Sequence, residues 1–155
     1  MLMLIGISAA TTVPHLNGTL GRWQLKETAR NLEVTLQFAS QWARVRQEAI
    51  AFVLDVRQGS FMLRPLGDEG SLGEASLPVG RQSFGRGVEI ARMEGLIDLG
   101  KEKILMFRPD GTSPAATIVL TGSQPDANRE TLWQIALNGR GAVQCRERLA
   151  DETGG

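Results

Sequence analysis

LKETARNLEVTLQFASQWA, residues 25–43, is the stretch that decides the fold of this 155-residue chain. Apolar residues recur in it at alternating spacings of four and three, which places them along one stripe of an α-helix. We expect this stripe to pack the helix against the rest of the protein through Leu25, Ala29, Leu32, Leu36, Ala39 and Ala43. A second line, expected to widen the stripe near its C-terminal end, consists of Phe38, Trp42, Val45 and Ala49.

The helical pattern runs from about Thr19 to about Ala49, and no Pro or Gly lies between Arg22 and Ile50. Thirty residues of helix reach roughly 45 Å. Because this is longer than a small domain needs for its own core, part of the helix is expected to project from the domain.

The first thirteen residues are mostly apolar and carry no charged side chain. A membrane-spanning helix needs about 20 such residues, so this segment is too short to span a bilayer alone. It is not typical of a secretory signal either, since no Lys or Arg precedes it. Pro14 and Gly18 then interrupt the apolar run, and we expect a break in the helix there, with His15 inside it.

After Ile50 the period changes from helix-like to strand-like. Residues 51–57 and 60–66 flank Gln58-Gly59 and predict a hairpin. Residues 67–87 predict a long glycine-rich loop with room for a short strand, and the charged residues from 147 onward predict a frayed tail. Further strands, with turn-forming pairs at Asp110-Gly111 and Asn138-Gly139, are predicted over residues 88–93, 103–108, 117–121, 131–137 and 142–146.

These patterns together predict an α+β fold. A long N-terminal helix is expected to pack on an antiparallel β-sheet or on a two-sheet β-sandwich head.

The charge and the reactive residues of the chain argue against an enzyme. Lys+Arg and Asp+Glu both count 17, and this zero balance also argues against nucleic-acid binding, since proteins that hold phosphate backbones usually carry a basic excess. One cysteine, Cys145, and one histidine, His15, leave little room for a disulfide, a zinc site or His-based catalysis.

Residues 80–87 have the glycine spacing of a phosphate-binding loop, but Arg86 stands where the lysine of that motif belongs. We expect no catalytic residue, no cofactor and no metal.

A small basic cluster near the C-terminus is the place to look for a DNA contact. It consists of Arg140, Arg146 and Arg148, interleaved with Glu147. The arginines that follow Cys145 would allow a lowered thiol pKa, although a lone cysteine at the end of a strand is more often simply buried.

Several stretches follow one another in an order that resembles a known family. Residues 6–14, GISAATTVP, look like the second half of the membrane helix of type IV pilin-like proteins. Residues 27–32, ETARNL, and 43–50, ARVRQEAI, resemble the extended helix of the H-type minor pseudopilins, the GspH/FimT group. Residues 107–112, FRPDGT, resemble the Phe-x-Pro-Asp-Gly turn of that group, and residues 138–141, NGRG, resemble its Gly-Arg turn before the last strand.

The resemblance implies a minor pseudopilin of a type II secretion system, a structural subunit of the periplasmic pseudopilus that assists export of folded proteins across the outer membrane. Its implied partners are other major and minor pseudopilins, the inner-membrane assembly platform and the prepilin peptidase. The implied location is the bacterial inner membrane, crossed once, with the head in the periplasm. The alternative is a FimT-like minor pilin of a type IV pilus, which in that branch can bind DNA for uptake. Ala142 replaces a second arginine of that branch, which weakens the match at Arg140.

Members of this group begin with a basic leader and a Gly-Phe-Thr-Leu-x-Glu site for the peptidase, both missing from this sequence. We therefore expect the native protein to have about ten or more further apolar residues, and the chain as given to be soluble. The expected divisions are the end of the anchor helix (1–14), an amphipathic helix (15–50), the β head (51–147) and the tail (148–155). The residues expected to face a membrane or a filament core are Leu2, Leu4, Ile5, Ile7, Val13 and Pro14.

Overall fold

A computed structural model describes the backbone of residues 2–66, 80–122 and 131–149, and the side chains of residues 21–66, 80–122 and 131–148. Within these ranges one helix, α1 (Leu2–Arg46), precedes strands that form two antiparallel sheets. The chain therefore has the predicted α+β fold, a long N-terminal helix packed on antiparallel sheets.

Helix α1 is continuous over 45 residues. The predicted break at Pro14 and Gly18 is wrong, because the backbone is helical through both residues and through His15. A proline removes one hydrogen bond from a helix, and in a helix of this length the bonds on either side keep the backbone helical. The helix ends at Arg46, where Gln47 takes a positive φ of 56°. Among the residues that the structure describes, none forms a helix both long and apolar enough to cross a membrane.

The first sheet contains the predicted hairpin and has the order β3-β2-β1-β6-β5. Its strands are β1 (Ile50–Asp55), β2 (Ser60–Pro65), β3 (Gln82–Ser83), β5 (Ile97–Asp98) and β6 (Glu102–Phe107). The second sheet has the order β4-β7-β8-β9, and its strands are β4 (Val88–Glu94), β7 (Ala116–Gly122), β8 (Thr131–Leu137) and β9 (Val143–Leu149).

All seven predicted strands are present, with ends shifted by up to three residues. The hairpin turn is longer than predicted, because Asp55 pairs directly with Ser60 and leaves residues 56–59 in the turn. The Asp55 carboxylate stabilises this turn by accepting hydrogen bonds of 3.0 Å from the N–H groups of Arg57 and Gln58.

Strands β3 and β5 were not individually predicted, because two residues are too few to show a period of two. Strand β3 lies inside the predicted 67–87 loop, of which residues 67–79 are outside the described residues. Strand β9 continues to Leu149, so Arg148 is paired with Leu132 rather than belonging to a frayed tail. The last six residues, 150–155, lie outside the described residues.

The main hydrophobic core lies between α1 and the inner faces of both sheets. Its largest fully buried side chains include Phe52, Phe61 and Phe107, and the rings of Phe52 and Phe61 are 5.8 Å apart. The predicted second line of α1 lies at the margin of this core: Phe38 and Trp42 are half-buried against it, whereas Val45 is 80% exposed.

Candidate functional surfaces

The stripe that decides the fold lies at the contact between helix and head. Leu25 is 3% exposed, and the other five side chains, Ala29, Leu32, Leu36, Ala39 and Ala43, are fully buried. They share the main core with residues of the first sheet, such as Phe52, and of the second sheet, such as Ile135. Complete burial of one leucine contributes about 1.5–3 kcal/mol relative to leaving it exposed. The stripe therefore holds the helix to both sheets at once.

The last two turns of α1 are also attached to the head by hydrogen bonds. Ser40 Oγ donates to the carbonyl of Gly111 at 2.9 Å. The guanidinium of Arg44 donates from Nε to the carbonyl of Asp110 at 3.1 Å and from Nη2 to the carbonyl of Arg140 at 3.2 Å. One side chain thus connects the helix to two loops that are 30 residues apart in sequence. We call this arrangement the Arg44 clamp.

The two loops that receive the clamp have the same backbone design. In the first, the N–H of Gly111 donates to the carbonyl of Arg108 at 2.8 Å, and in the second the N–H of Gly141 donates to the carbonyl of Asn138 at 3.0 Å. Each loop ends on a glycine with φ near +81°, a backbone conformation that residues other than glycine rarely adopt. These are the loops that carry the FRPDGT and NGRG motifs.

An acidic or amide side chain stabilises each loop from within. The Oδ1 atom of Asp110 accepts hydrogen bonds from the hydroxyl of Thr112 at 2.6 Å and from its N–H at 2.9 Å. These bonds hold the pKa of the Asp110 carboxyl below its usual value. In the second loop, Oδ1 of Asn138 accepts from the N–H groups of Arg140 and Ala142, at 3.0 and 2.9 Å.

The glycines of these loops also allow the loops to approach each other and the helix. A Cβ on Gly141 would overlap the carbonyl of Gly111 and lie 2.7 Å from Ser40 Oγ. A Cβ on Gly111 would overlap the side chain of Arg44. The glycine of each motif is therefore a docking position against the end of α1. The sequence predicts turns at these glycines. It does not predict which atoms of the helix and of the other loop the glycines contact.

The structure places two of the three candidate DNA-contacting arginines on one face of β9 and the third in the loop before that strand. Arg140 is exposed in the loop before β9, where its carbonyl belongs to the clamp. Arg146 and Arg148 are exposed on the outer face of β9, paired across the sheet with Gln134 and Leu132.

A surface cleft of about 410 Å³ lies on this outer face of the second sheet. Arg148 of β9 and Arg92 of β4 both line it, and Thr117 and Val119 of the central strand β7 form part of its lining. Glu94 also lines the cleft and forms a salt bridge with Arg92, so the lining carries charges of both signs.

The thiol of Cys145 has the opposite pKa shift from the one that its arginine neighbours would allow. Burial, followed by the charge of Glu33, raises its pKa to about 11. Because side chains alternate along a strand, Cys145 faces the core while Arg146 points to the other face. Such a thiol is unreactive at neutral pH.

Solved structures of a minor pseudopilin and of a minor pilin share this fold, a long N-terminal helix packed on antiparallel sheets. The minor pseudopilin EpsH from the type 2 secretion system of Vibrio cholerae superposes with a TM-score of 0.62 at 11% identity, over 79% of this chain and 96% of that one. The type IV minor pilin FimU of Pseudomonas aeruginosa superposes with a TM-score of 0.58 at 16% identity, over 81% of this chain and 90% of that one.

A second structure of EpsH superposes with a TM-score of 0.59 at 13% identity. No model of a protein family matches the sequence, and no curated protein matches it. At these identities the likeness establishes the pilin-like fold.

Proposed function

We propose that this chain is a structural subunit of a pilin-like filament, and more specifically an H-type minor pseudopilin of the periplasmic pseudopilus in a type II secretion system. The observation that carries the proposal is the pilin-like fold shared with EpsH and FimU. It is supported by the length of α1, which is continuous over 45 residues and about 68 Å long. The role is mechanical, and it assists export of folded proteins across the outer membrane.

In this role, the two ends of α1 do different work. The apolar start of the helix lies in the inner membrane and then in the core of the filament, where Leu2, Ile5 and Val13 supply apolar surface. The buried stripe and the Arg44 clamp hold the other end to the head, which lies in the periplasm. A force on the helix is then transmitted to the head through contacts at both sheets and both loops.

The proposed partners follow from this role. They are other major and minor pseudopilins, the inner-membrane assembly platform, and the prepilin peptidase that matures subunits of this class.

A clean deletion of the gene in its native host tests the proposal. We expect export of folded secreted proteins to be lost, DNA uptake to be unchanged, and the wild-type gene in trans to restore export. Normal export in the deletion strain would contradict the secretion role. Loss of DNA uptake with normal export would instead support the alternative pilus role.

That alternative, a FimT-like minor pilin that binds DNA, is favoured by one observation: Arg146 and Arg148 are both exposed on the outer face of β9. A gel shift over a range of salt concentrations tests it, since affinity carried by phosphate contacts falls steeply with salt. We expect a combined Arg146→Ala and Arg148→Ala variant to weaken a true interaction, and Arg140→Ala to weaken it separately. Arg86→Ala, at an exposed arginine outside β9 and the loop before it, is the matched control. No shift at low salt would contradict the DNA role.

A further inference from the structure

Within the described residues the two sheets have four edge strands, and three of them are poorly suited to pair with another chain. Strands β3 and β5, at the edges of the first sheet, contain two residues each. Strand β9, at one edge of the second sheet, carries three consecutive charged residues, Arg146, Glu147 and Arg148. Short length and charge both keep the edge of a sheet from pairing. Strand β4, at the other edge of the second sheet, has seven residues and remains open to a further strand.

The hydrogen bonds of β4 show which of its backbone groups face its neighbour β7. The N–H of Val88 donates to the carbonyl of Gly85 at 3.1 Å, so it points away from β7. Residues bonded to the neighbouring strand alternate with residues that are not, along both strands of an antiparallel pair. The residues of β4 that are bonded to β7 are therefore Glu89, Arg92 and Glu94.

The backbone groups of Ile90 and Met93 consequently face away from the sheet. A β-bulge between Ile90 and Arg92 shifts the register, which explains why the two outward-facing residues are three positions apart. Among the described residues, none forms a backbone hydrogen bond with the N–H of Ile90 or of Met93. The edge thus presents two N–H groups and two carbonyls to a further strand.

An apolar groove lies along this edge, between β4 and the first sheet. It consists of two adjoining clefts of about 480 and 250 Å³, both lined by Ile90 and by Val56 of the turn between β1 and β2. Phe84 lines the first cleft, and Met93 and Leu96 line the second. Val56 is 41% exposed although its side chain is apolar. We call these five residues the β4 groove.

The charges around the β4 groove balance one another. Two salt bridges, near the second cleft, join Arg92 to Glu94 and Lys103 to Asp98. The first cleft is lined by one charge of each sign, Arg57 from the turn and Glu89 from β4. A balanced rim does not favour a polyanion such as a nucleic acid, which requires an excess of basic side chains. The backbone groups and the apolar lining therefore select the occupant.

An extended polypeptide satisfies both of these features. Its backbone can pair with the outward-facing groups of Ile90 and Met93, as in other cases where a peptide adds a strand to the edge of a sheet. Side chains alternate along a strand, so every second side chain would point into the β4 groove and the others would lie on the outer face of the sheet. The seven residues of β4 are about 24 Å long, which sets the length of the matching segment.

We propose that the edge of β4 is the docking site for an extended segment of a different subunit of the filament. The segment has apolar side chains at alternate positions, pairs with β4 and becomes the fifth strand of the second sheet. The identity of the partner rests on the proposed filament role, and the inference adds where and how that partner binds.

Hydrogen exchange of the full chain, followed for each amide by NMR, tests the docking. The probe is a synthetic peptide of alternating valine and threonine with a lysine at each end, and the control peptide has proline in place of its central valine. We expect the alternating peptide to slow exchange at the amides of Ile90 and Met93 by at least about tenfold, because both become hydrogen-bonded. The control peptide should leave both rates unchanged, since proline disrupts pairing.

A charge in the β4 groove provides the second arm of the experiment. Val56→Asp should weaken binding of the alternating peptide by at least about tenfold, because the bound peptide would bury the new carboxylate among apolar side chains. The matched control is Leu99→Asp, at an apolar residue that is 59% exposed in the loop between β5 and β6, outside the β4 groove. This control should bind the peptide like the unchanged chain.

Three results would overturn the proposal. The first is equal exchange with both peptides, or equal binding by the two aspartate variants. The second is slow exchange at Ile90 and Met93 before any peptide is added, which would mean that the chain itself covers the edge. The third is a dimer of the chain alone that Val56→Asp dissociates, which would place a second copy in the groove.

The export assay separates this proposal from the proposed function. Unchanged exchange together with lost export in the deletion strain would refute the docking site and retain the function. Slowed exchange together with normal export would retain the docking edge and refute the filament role of its partner.

Discussion

Replacing Arg44 by alanine tests whether the clamp contributes to the attachment of the helix to the head. The substitution removes two hydrogen bonds, to the carbonyls of Asp110 and Arg140, and leaves the buried stripe unchanged. Since Arg44 is exposed, water replaces the lost donors, and the carbonyls are not left unsatisfied in the interior.

The expected magnitude follows from these two bonds. A typical hydrogen bond contributes about 0.5–1.5 kcal/mol, and we take about 1 kcal/mol for each bond of this exposed donor. Arg44→Ala should therefore lower the free energy of unfolding by about 2 kcal/mol. At about 2–4 °C per kcal/mol for a chain of this length, Tm should fall by about 4–8 °C.

Urea denaturation followed by circular dichroism measures the difference, with Arg46→Ala as the matched control. Arg46 is also exposed in the last turn of α1, so both substitutions lose the same favourable charge near the helix C-terminus. We expect Arg46→Ala to change the free energy of unfolding by less than about 0.5 kcal/mol. If the free energies of unfolding of the two variants differ by less than about 0.5 kcal/mol, the clamp does not contribute to the attachment and the reasoning is refuted.

Three further measurements address the core, the loop contact and the thiol. Gly141→Ala should cost at least about 2 kcal/mol more in urea denaturation than Gly100→Ala, because both glycines have positive φ but only the Cβ at 141 meets other atoms; equal costs would mean that the loop contact adjusts freely. Leu32→Ala should lower the free energy of unfolding by about 2–5 kcal/mol and the exposed Val34→Ala by less than about 0.5 kcal/mol, and similar losses would contradict the assignment of the stripe. The thiol of Cys145, with its pKa raised to about 11, should react with iodoacetamide at pH 8 roughly a hundredfold more slowly than a free cysteine. The folded chain holds this proton more tightly than the unfolded chain, so the thiol's contribution to stability should be present below pH 9 and be lost as pH rises towards 11; a reactivity profile centred near pH 8.5 would contradict this environment.

The helix-to-head contact could be predicted from sequence because it depends on apolar residues that repeat at short, regular spacings. The spacing from Leu25 to Ala43 repeats every three or four residues, and the structure buries every one of those positions. Val45 departs from its expected burial because it lies one residue before the end of the helix, where the chain turns away to start β1. A period predicts which face of a helix is apolar, but not how far along the helix the head extends.

The Arg44 clamp could not be predicted from the same pattern. Its hydrogen bonds connect residues that are 66 and 96 positions apart. No sequence pattern indicates which distant carbonyl an exposed arginine on a helix will bind. The glycines at 111 and 141 were expected in turns, but their contacts with the helix depend on how the two sheets are placed.

Filament membership is the central claim, and it can be measured directly. Filaments released by gentle lysis of the native host are purified, and peptides of this chain are quantified by mass spectrometry in parallel with a strain that lacks the major subunit. We predict that the chain copurifies with the filaments at a small fraction of the major subunit and is lost from that fraction when the major subunit is deleted. Recovery of the chain in fractions without filaments, in equal amounts from both strains, would contradict the claim.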